Sequence, residues 1–161
     1  MALGKSHDMV NLLLLPLSLY FIPKEFYLPF SLGYIVGTFF LSPDIDLKHS
    51  KPSKRWKYLK VLWLPYQKRS KHRGTSHIPI VGTFLRLIYL NLVVLFFYFF
   101  LVGIFSYVSP ELSRILLSID LEGFFRYLAK SESSFYFLLG LIVSEILHVL
   151  LDFLFTLKRL L

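Results

Sequence analysis

Two long apolar runs, Ile80–Val108 and Ser133–Leu157, constrain this chain more than any other feature. Each exceeds the roughly 20 residues a helix needs to cross a hydrocarbon layer of about 30 Å. Two shorter runs precede them, Met9–Ile22 and Phe26–Leu41, split by Pro23-Lys24-Glu25 and carrying Pro16 and Pro29. These read as a tight helical hairpin that either spans or re-enters. The composition agrees, with 55% hydrophobic residues, 17% charged residues and a mean hydropathy of +0.60. Soluble domains hold about 45–50% apolar and about 25% charged residues. The surplus cannot all be hidden in a core of 161 residues, so a bilayer is the expected solvent for part of it. The expected fold is an all-α integral membrane protein. It has about four apolar helices plus one or two amphipathic helices lying in the interface.

Charge sets the orientation. From Lys48 to Arg73 there are ten Lys/Arg and no Asp or Glu, within a net charge of +8. By the positive-inside rule the loop from Ser42 to Pro79 is cytoplasmic. Lys5 and Lys158-Arg159 put both termini on the same side, and the loop 109–132 faces outward. The N-terminus has no small-residue cleavage site before Pro23, so it is read as part of the mature chain. Pro52 to Pro65 reads as one amphipathic helix, with Trp56, Leu59, Leu62, Trp63 and Tyr66 opposite Lys54, Arg55, Lys57 and Lys60. Ser109-Pro110-Glu111 starts a second, with Leu112, Ile115, Leu116 and Ile119 on one side. The 48–73 segment is expected to meet anionic lipid headgroups; nucleic acid is the less favoured partner. Gly33 and Gly37 have GxxxG spacing, which permits close helix packing but recurs by chance.

Ionisable residues inside a membrane are costly and mark functional sites. "SEILHVLLD" sets Glu145, His148 and Asp152 at i, i+3 and i+7, on one face of a helix. Other candidate ligands cluster at the same predicted surface: His7 before the first run, Asp44 and Asp46 in "SPDID", and His72 and His77 in "KHRGTSH". Four separate segments thus deliver His and Asp to one side. With no cysteine, disulfides, thiolate sites and a Cys nucleophile are excluded. Imidazole with carboxylate suits Zn²⁺, and also Mn²⁺ or Fe²⁺. Seven such ligands exceed one tetrahedral ion and fit two or three, whose usual work is phosphoester hydrolysis. Asp46 and Glu145 are candidates for base or bridging ligand, and Arg73 for holding a phosphate. Gly74 offers a positive-φ turn, and Thr75 or Ser76 a cap for the next segment. Asn11 reads either as a group orienting a ligand or as one bonding a backbone carbonyl near Pro16. His49 and Asp8 are left outside the set.

The block from "LSPDIDLKHS" through "KHRGTSH" to "GTFLRLIYL" resembles a family of uncharacterised metal-binding integral membrane proteins. That family is similar in turn to the YdjM-type inner-membrane metal-dependent hydrolases. Its pattern is an N-terminal His, a Pro-Asp-x-Asp turn, an HRGxTH-like motif and a late His-x3-Asp. These fall here on His7, Pro43 to Asp46, His72 to His77, and His148 with Asp152. Here the motif ends "TSH" where the hydrolase branch has "THS". The resemblance implies one membrane-embedded metal-binding domain over residues 1–161, with a basic interfacial loop at 43–79. It also implies a metal-dependent hydrolase in the inner membrane, its site facing the cytoplasm. The substrate class expected is a phosphoester, a phospholipid included. Two other classes stay open on the residues alone. One is a metal-binding protein without catalysis, including a di-iron type hinted at by Glu145-x-x-His148; the other is a membrane-tethered binder of nucleic acid or anionic lipid.

Overall fold

The computed structural model describes residues 4–70 and 74–160, and their side chains except those of residues 4–7, 75 and 158–160. The described chain is helical, without strands among the described residues. The four apolar runs become α1 (Gly4–Leu19), α2 (Tyr27–Phe39), α5 (Val81–Val108) and α8 (Glu132–Leu160). Between α2 and α5 lie α3 (Lys51–Arg55) and α4 (Leu64–Arg69), with short 3₁₀ segments around them. α6 (Pro110–Leu117) and α7 (Leu121–Lys130) connect α5 to α8. Among the described residues, α5 and α8 are the two helices long and apolar enough to cross a membrane by length and composition. α1 and α2, with 16 and 13 residues, reach only about 24 and 20 Å at 1.5 Å per residue.

α2 lies along α8, and glycine is the reason they come so close. A Cβ at Gly33 would sit 1.9 Å from the Phe137 carbonyl oxygen, and one at Gly37 would sit 2.1 Å from Ser144 Oγ. The GxxxG spacing is therefore used, with α8 as the partner. α1 folds back on α2 and is tied by polar bonds rather than apolar bulk. Buried Asn11 Nδ2 donates to the Ser144 carbonyl (3.2 Å) and Thr38 Oγ1 (3.4 Å), and Tyr34 Oη donates to the Asn11 carbonyl (2.8 Å). Asn11 thus serves the backbone-bonding role, toward α8. These contacts join the middle of α1, the C-terminal half of α2 and the middle of α8.

The basic segment differs from the single amphipathic helix expected. α3 stops at Arg55, Lys57 takes φ 49°, and the chain continues as a 3₁₀ helix over Lys57–Trp63. Tertiary packing overrides the helical period. Trp56 Nε1 donates to the Phe40 carbonyl (3.0 Å), and the turn brings its ring edge-on to Trp63 with centroids 5.3 Å apart. Trp63 is wholly buried against Leu41, Ile45 and Leu141, while Tyr66 and Tyr89 pack on its flank. Burying side chains such as Ile45 and Trp63 stabilises by about 1.5–3 kcal/mol or more each. Leu59, expected on the apolar face, is exposed instead. After α5, Pro110 opens α6 as expected, but the Ser109 side chain makes no capping bond. A further amphipathic helix, α7, follows behind an Asp120 cap whose carboxylate accepts from Gly123 N (2.8 Å).

Candidate metal centre

Three chain segments converge at the polar end of the bundle. As α2 ends, Ser42 turns extended and Pro43 opens the 3₁₀ turn Pro43–Asp46. That turn points Asp44 toward α8 and leaves Asp46 fully buried behind it. The 3₁₀ turn Thr75–His77 brings in His77, and α8 presents His148 and Asp152 from successive turns. Asp44 stands between the two imidazoles: Oδ1 is 3.6 Å from His77 Nε2, and Oδ2 is 3.6 Å from His148 Nε2. His148 Nε2 is 4.0 Å from Asp152 Oδ2. One donor atom from each of Asp44, His77, His148 and Asp152 lies within 4.8 Å of all the others.

The donor set fits a divalent ion. The three separations of 3.6 to 4.0 Å exceed direct hydrogen bonds. A tetrahedron with bonds of about 2.0–2.1 Å has edges of about 3.3–3.4 Å, so closing the shell on one ion draws together donors that stand up to 4.8 Å apart. Two carboxylate oxygens and two imidazole nitrogens suit Zn²⁺, Mn²⁺ or Fe²⁺. The described residues gather enough donors for one ion. Burial raises the Asp44 carboxyl, but the His148 and His77 imidazoles beside it outweigh that and hold it well below the usual carboxylate range. Asp44 is therefore an anion, the form a metal needs.

Behind the donors lies a supporting layer. Asp46 Oδ2 accepts from Ser76 Oγ (2.9 Å) and sits 3.7 Å from His77 Nδ1. Ser76 Oγ also lies 3.3 Å from His77 Nδ1, so the hydroxyl links that ring nitrogen to the Asp46 carboxylate and keeps Nε2 aimed at Asp44, as partners behind metal-binding histidines do. Ser76 is in turn fixed by Arg86, whose Nη1 donates to its carbonyl (2.9 Å). Arg86 Nη2 donates to Glu145 Oε1 (2.7 Å), and Glu145 Oε2 accepts from Thr83 N (3.1 Å) and Thr83 Oγ1. A Cβ at Gly82 would lie 2.3 Å from the Ser76 carbonyl oxygen, so glycine permits this approach. The positive φ expected at Gly74 falls instead on Ile80, at 72°. A β-branched residue there is strained, and the strain lies between His77 and α5.

Of the residues expected at the site, Asp44, His77, His148 and Asp152 come together. Asp46 stands behind His77. Glu145 lies one turn before His148 on α8, with its oxygens engaged by Arg86 and Thr83. His72, Arg73 and the side chain of His7 lie outside the described residues. Asp8 pairs with Arg55 (2.6 Å) and Lys51 (3.8 Å). Ser76 serves Asp46 rather than capping the next segment. Arg86 went unrecognised from sequence; its signal was a lone guanidinium in the apolar "TFLRLIYL". His77 and Asp152 line an open hollow of about 270 Å³ with Val149, Phe153 and Thr156.

The comparisons with known proteins point the same way. A family model described as "uncharacterized metal-binding protein" matches residues 2–160. A protein of Aquifex aeolicus (strain VF5), itself called only an uncharacterized protein, is 47% identical over 131 residues, covering 81% of this chain and 92% of the relative. No solved structure matches the chain. With a match over almost its whole length, the chain belongs to the DUF2227 family of uncharacterized metal-binding proteins.

Proposed function

We propose that this chain is an inner-membrane, metal-dependent hydrolase of phosphoesters, similar to the YdjM-type enzymes, working at the cytoplasmic surface. The observation that carries the reading is the Asp44–His77–His148–Asp152 cluster, two of whose members line an open hollow. That hollow is walled partly by Val149 and by Phe153, which is 59% exposed. An apolar wall beside a polar centre suits a phospholipid entering from the side. α5 supports the membrane setting: it has 28 residues, an 18-residue stretch with a mean hydropathy of 2.5, and exposed large side chains along its length. In this reading α5 and α8 span, the shorter α1–α2 hairpin re-enters, and the basic segment 48–73 rests on anionic headgroups. The whole chain is then one membrane-embedded domain.

A bound divalent ion, with Zn²⁺ first in order, supplies a Lewis acid that lowers the pKa of an attacking water. The chain's residues do the rest. Asp44, His77 and His148 hold the ion, and Asp46 fixes the ring of His77. Asp152, at the mouth of the hollow, either completes the shell or accepts the proton of the incoming water at Oδ2. Arg73 holds the phosphate as a bidentate partner. Glu145 anchors Arg86 and with it the His77 turn, a positioning role rather than that of the base. His7 and His72 complete the shell or hold a second ion.

The test is turnover of bis(p-nitrophenyl) phosphate and of phosphatidylglycerol by detergent-purified protein supplied with Zn²⁺ or Mn²⁺. Activity should vanish with chelator and in Asp152→Asn. Metal-loaded protein that turns over neither substrate would sink the hydrolase and leave a non-catalytic metal-binding protein, the reading closest to the family's own description.

A further inference from the structure

A large cleft lies away from the metal centre. It has a volume of about 830 Å³ and is formed wholly by the segment between α2 and α5. Lys48, His49, Lys54, Lys57 and Lys60 line it, and no Asp or Glu does. Its floor is polar and fixed. Buried Gln67 donates from Nε2 to the Ile45 carbonyl (2.7 Å) and to Ser53 Oγ (3.2 Å), and Ser53 is itself 1% exposed.

The departure from α-helix is what makes the cleft basic. In a 3₁₀ helix, side chains three residues apart eclipse one another. Lys57 opens the 3₁₀ segment and Lys60 follows three residues on, with Lys54 just before the turn, and all three line the cleft. In an α-helix the same residues would step around the axis by about 60° per interval. The turn also holds Lys57 at φ 49°, a conformation that costs a non-glycine residue free energy. Like charges gathered along one cleft oppose this arrangement, and an anion seated among them offsets their repulsion. Tyr58, 94% exposed, and Val61 stand at the rim, giving an apolar lip to the basic wall.

We propose that this cleft is a second binding site, separate from the metal centre, for a phosphate group carrying two or more negative charges. It does not depend on the hydrolytic reading. Such a group comes from a soluble phosphate or from a lipid headgroup, and the two are distinguished by competition.

The experiment is calorimetric titration of the full chain, stripped of divalent metal with EDTA and exchanged into neutral detergent, with inorganic pyrophosphate, so that none is held through an ion at the metal centre. Wild type should bind saturably with one ligand per chain. Lys57→Gln/Lys60→Gln should weaken binding by about tenfold or more, from the loss of two positive contacts. Lys24→Gln/Lys130→Gln, with the same change in net charge on exposed residues elsewhere, should stay near wild type, and so should His148→Ala. Nanodiscs of cardiolipin in phosphatidylcholine that displace pyrophosphate, where pure phosphatidylcholine does not, identify the headgroup as the source. Failure to displace identifies the soluble anion. Absence of saturable binding, equal loss in both double variants, loss in His148→Ala, or an oligonucleotide that binds unopposed by pyrophosphate would each overturn the proposal.

Discussion

α8 carries two buried polar knots one turn apart, and they are built on opposite principles. At Glu145 an acid meets its own counter-charge: Arg86 lies 2.7 Å away, and Thr83 fills the second oxygen. At His148 the chain gathers two carboxylates and two imidazoles, three pairs of them at 3.6 to 4.0 Å and the whole set within 4.8 Å, too far for direct bonds but close enough to surround an ion. The first knot is complete as protein and fastens α5 to α8. The second is arranged around a centre. One stripe of ionisable residues thus divides into a fastening and a site, and the fastening holds the His77 turn through the Ser76 carbonyl.

The comparison breaks most visibly if Arg86 is removed. Arg86→Ala leaves Glu145 as an uncompensated buried charge, which should cost about 3–5 kcal/mol in denaturant unfolding in micelles. Arg86→Leu with Glu145→Leu should recover more than half of that. A single variant within about 1 kcal/mol of wild type would show that the pair is not a fastening.

At the second knot the response should depend on metal. Zn²⁺ at about 100 times its Kd should raise wild-type stability by about 2.7 kcal/mol, and Asp44→Asn should gain little. Equal gains in both proteins would place the ion elsewhere. Asp46→Asn keeps the shape but loses the carboxylate behind His77, so metal affinity should fall about 10–100-fold with little change in unfolding of the metal-free protein. The smallest effect belongs to the Asp8–Arg55 pair at the rim. Asp8→Asn should change stability by about 0–1 kcal/mol and leave metal affinity alone; a large loss of metal would draw Asp8 into the site.

Much of this arrangement was legible in the residues. Apolar run length marks α1, α2, α5 and α8 because burial period and helix length act locally. Asp44, His77, His148 and Asp152 were legible only as four of seven candidates, because ionisable residues are rare at the ends of apolar runs but which of them meet depends on the fold. Other features depend on distant partners. Gly33 and Gly37 meant little until α8 was seen against them. Glu145 shares a face with His148, and periodicity alone cannot separate anchor from ligand. Arg86 settles that division from another helix. The 3₁₀ turn at Lys57 follows from where the two tryptophans pack, which no local period encodes.

The most direct test of the central claim is elemental analysis of detergent-purified protein, wild type beside His148→Ala, with helical content followed by circular dichroism. The account predicts at least one divalent ion per wild-type chain and its loss in a variant that keeps its helices. A metal-free wild type, or a variant that keeps its ion, would contradict it.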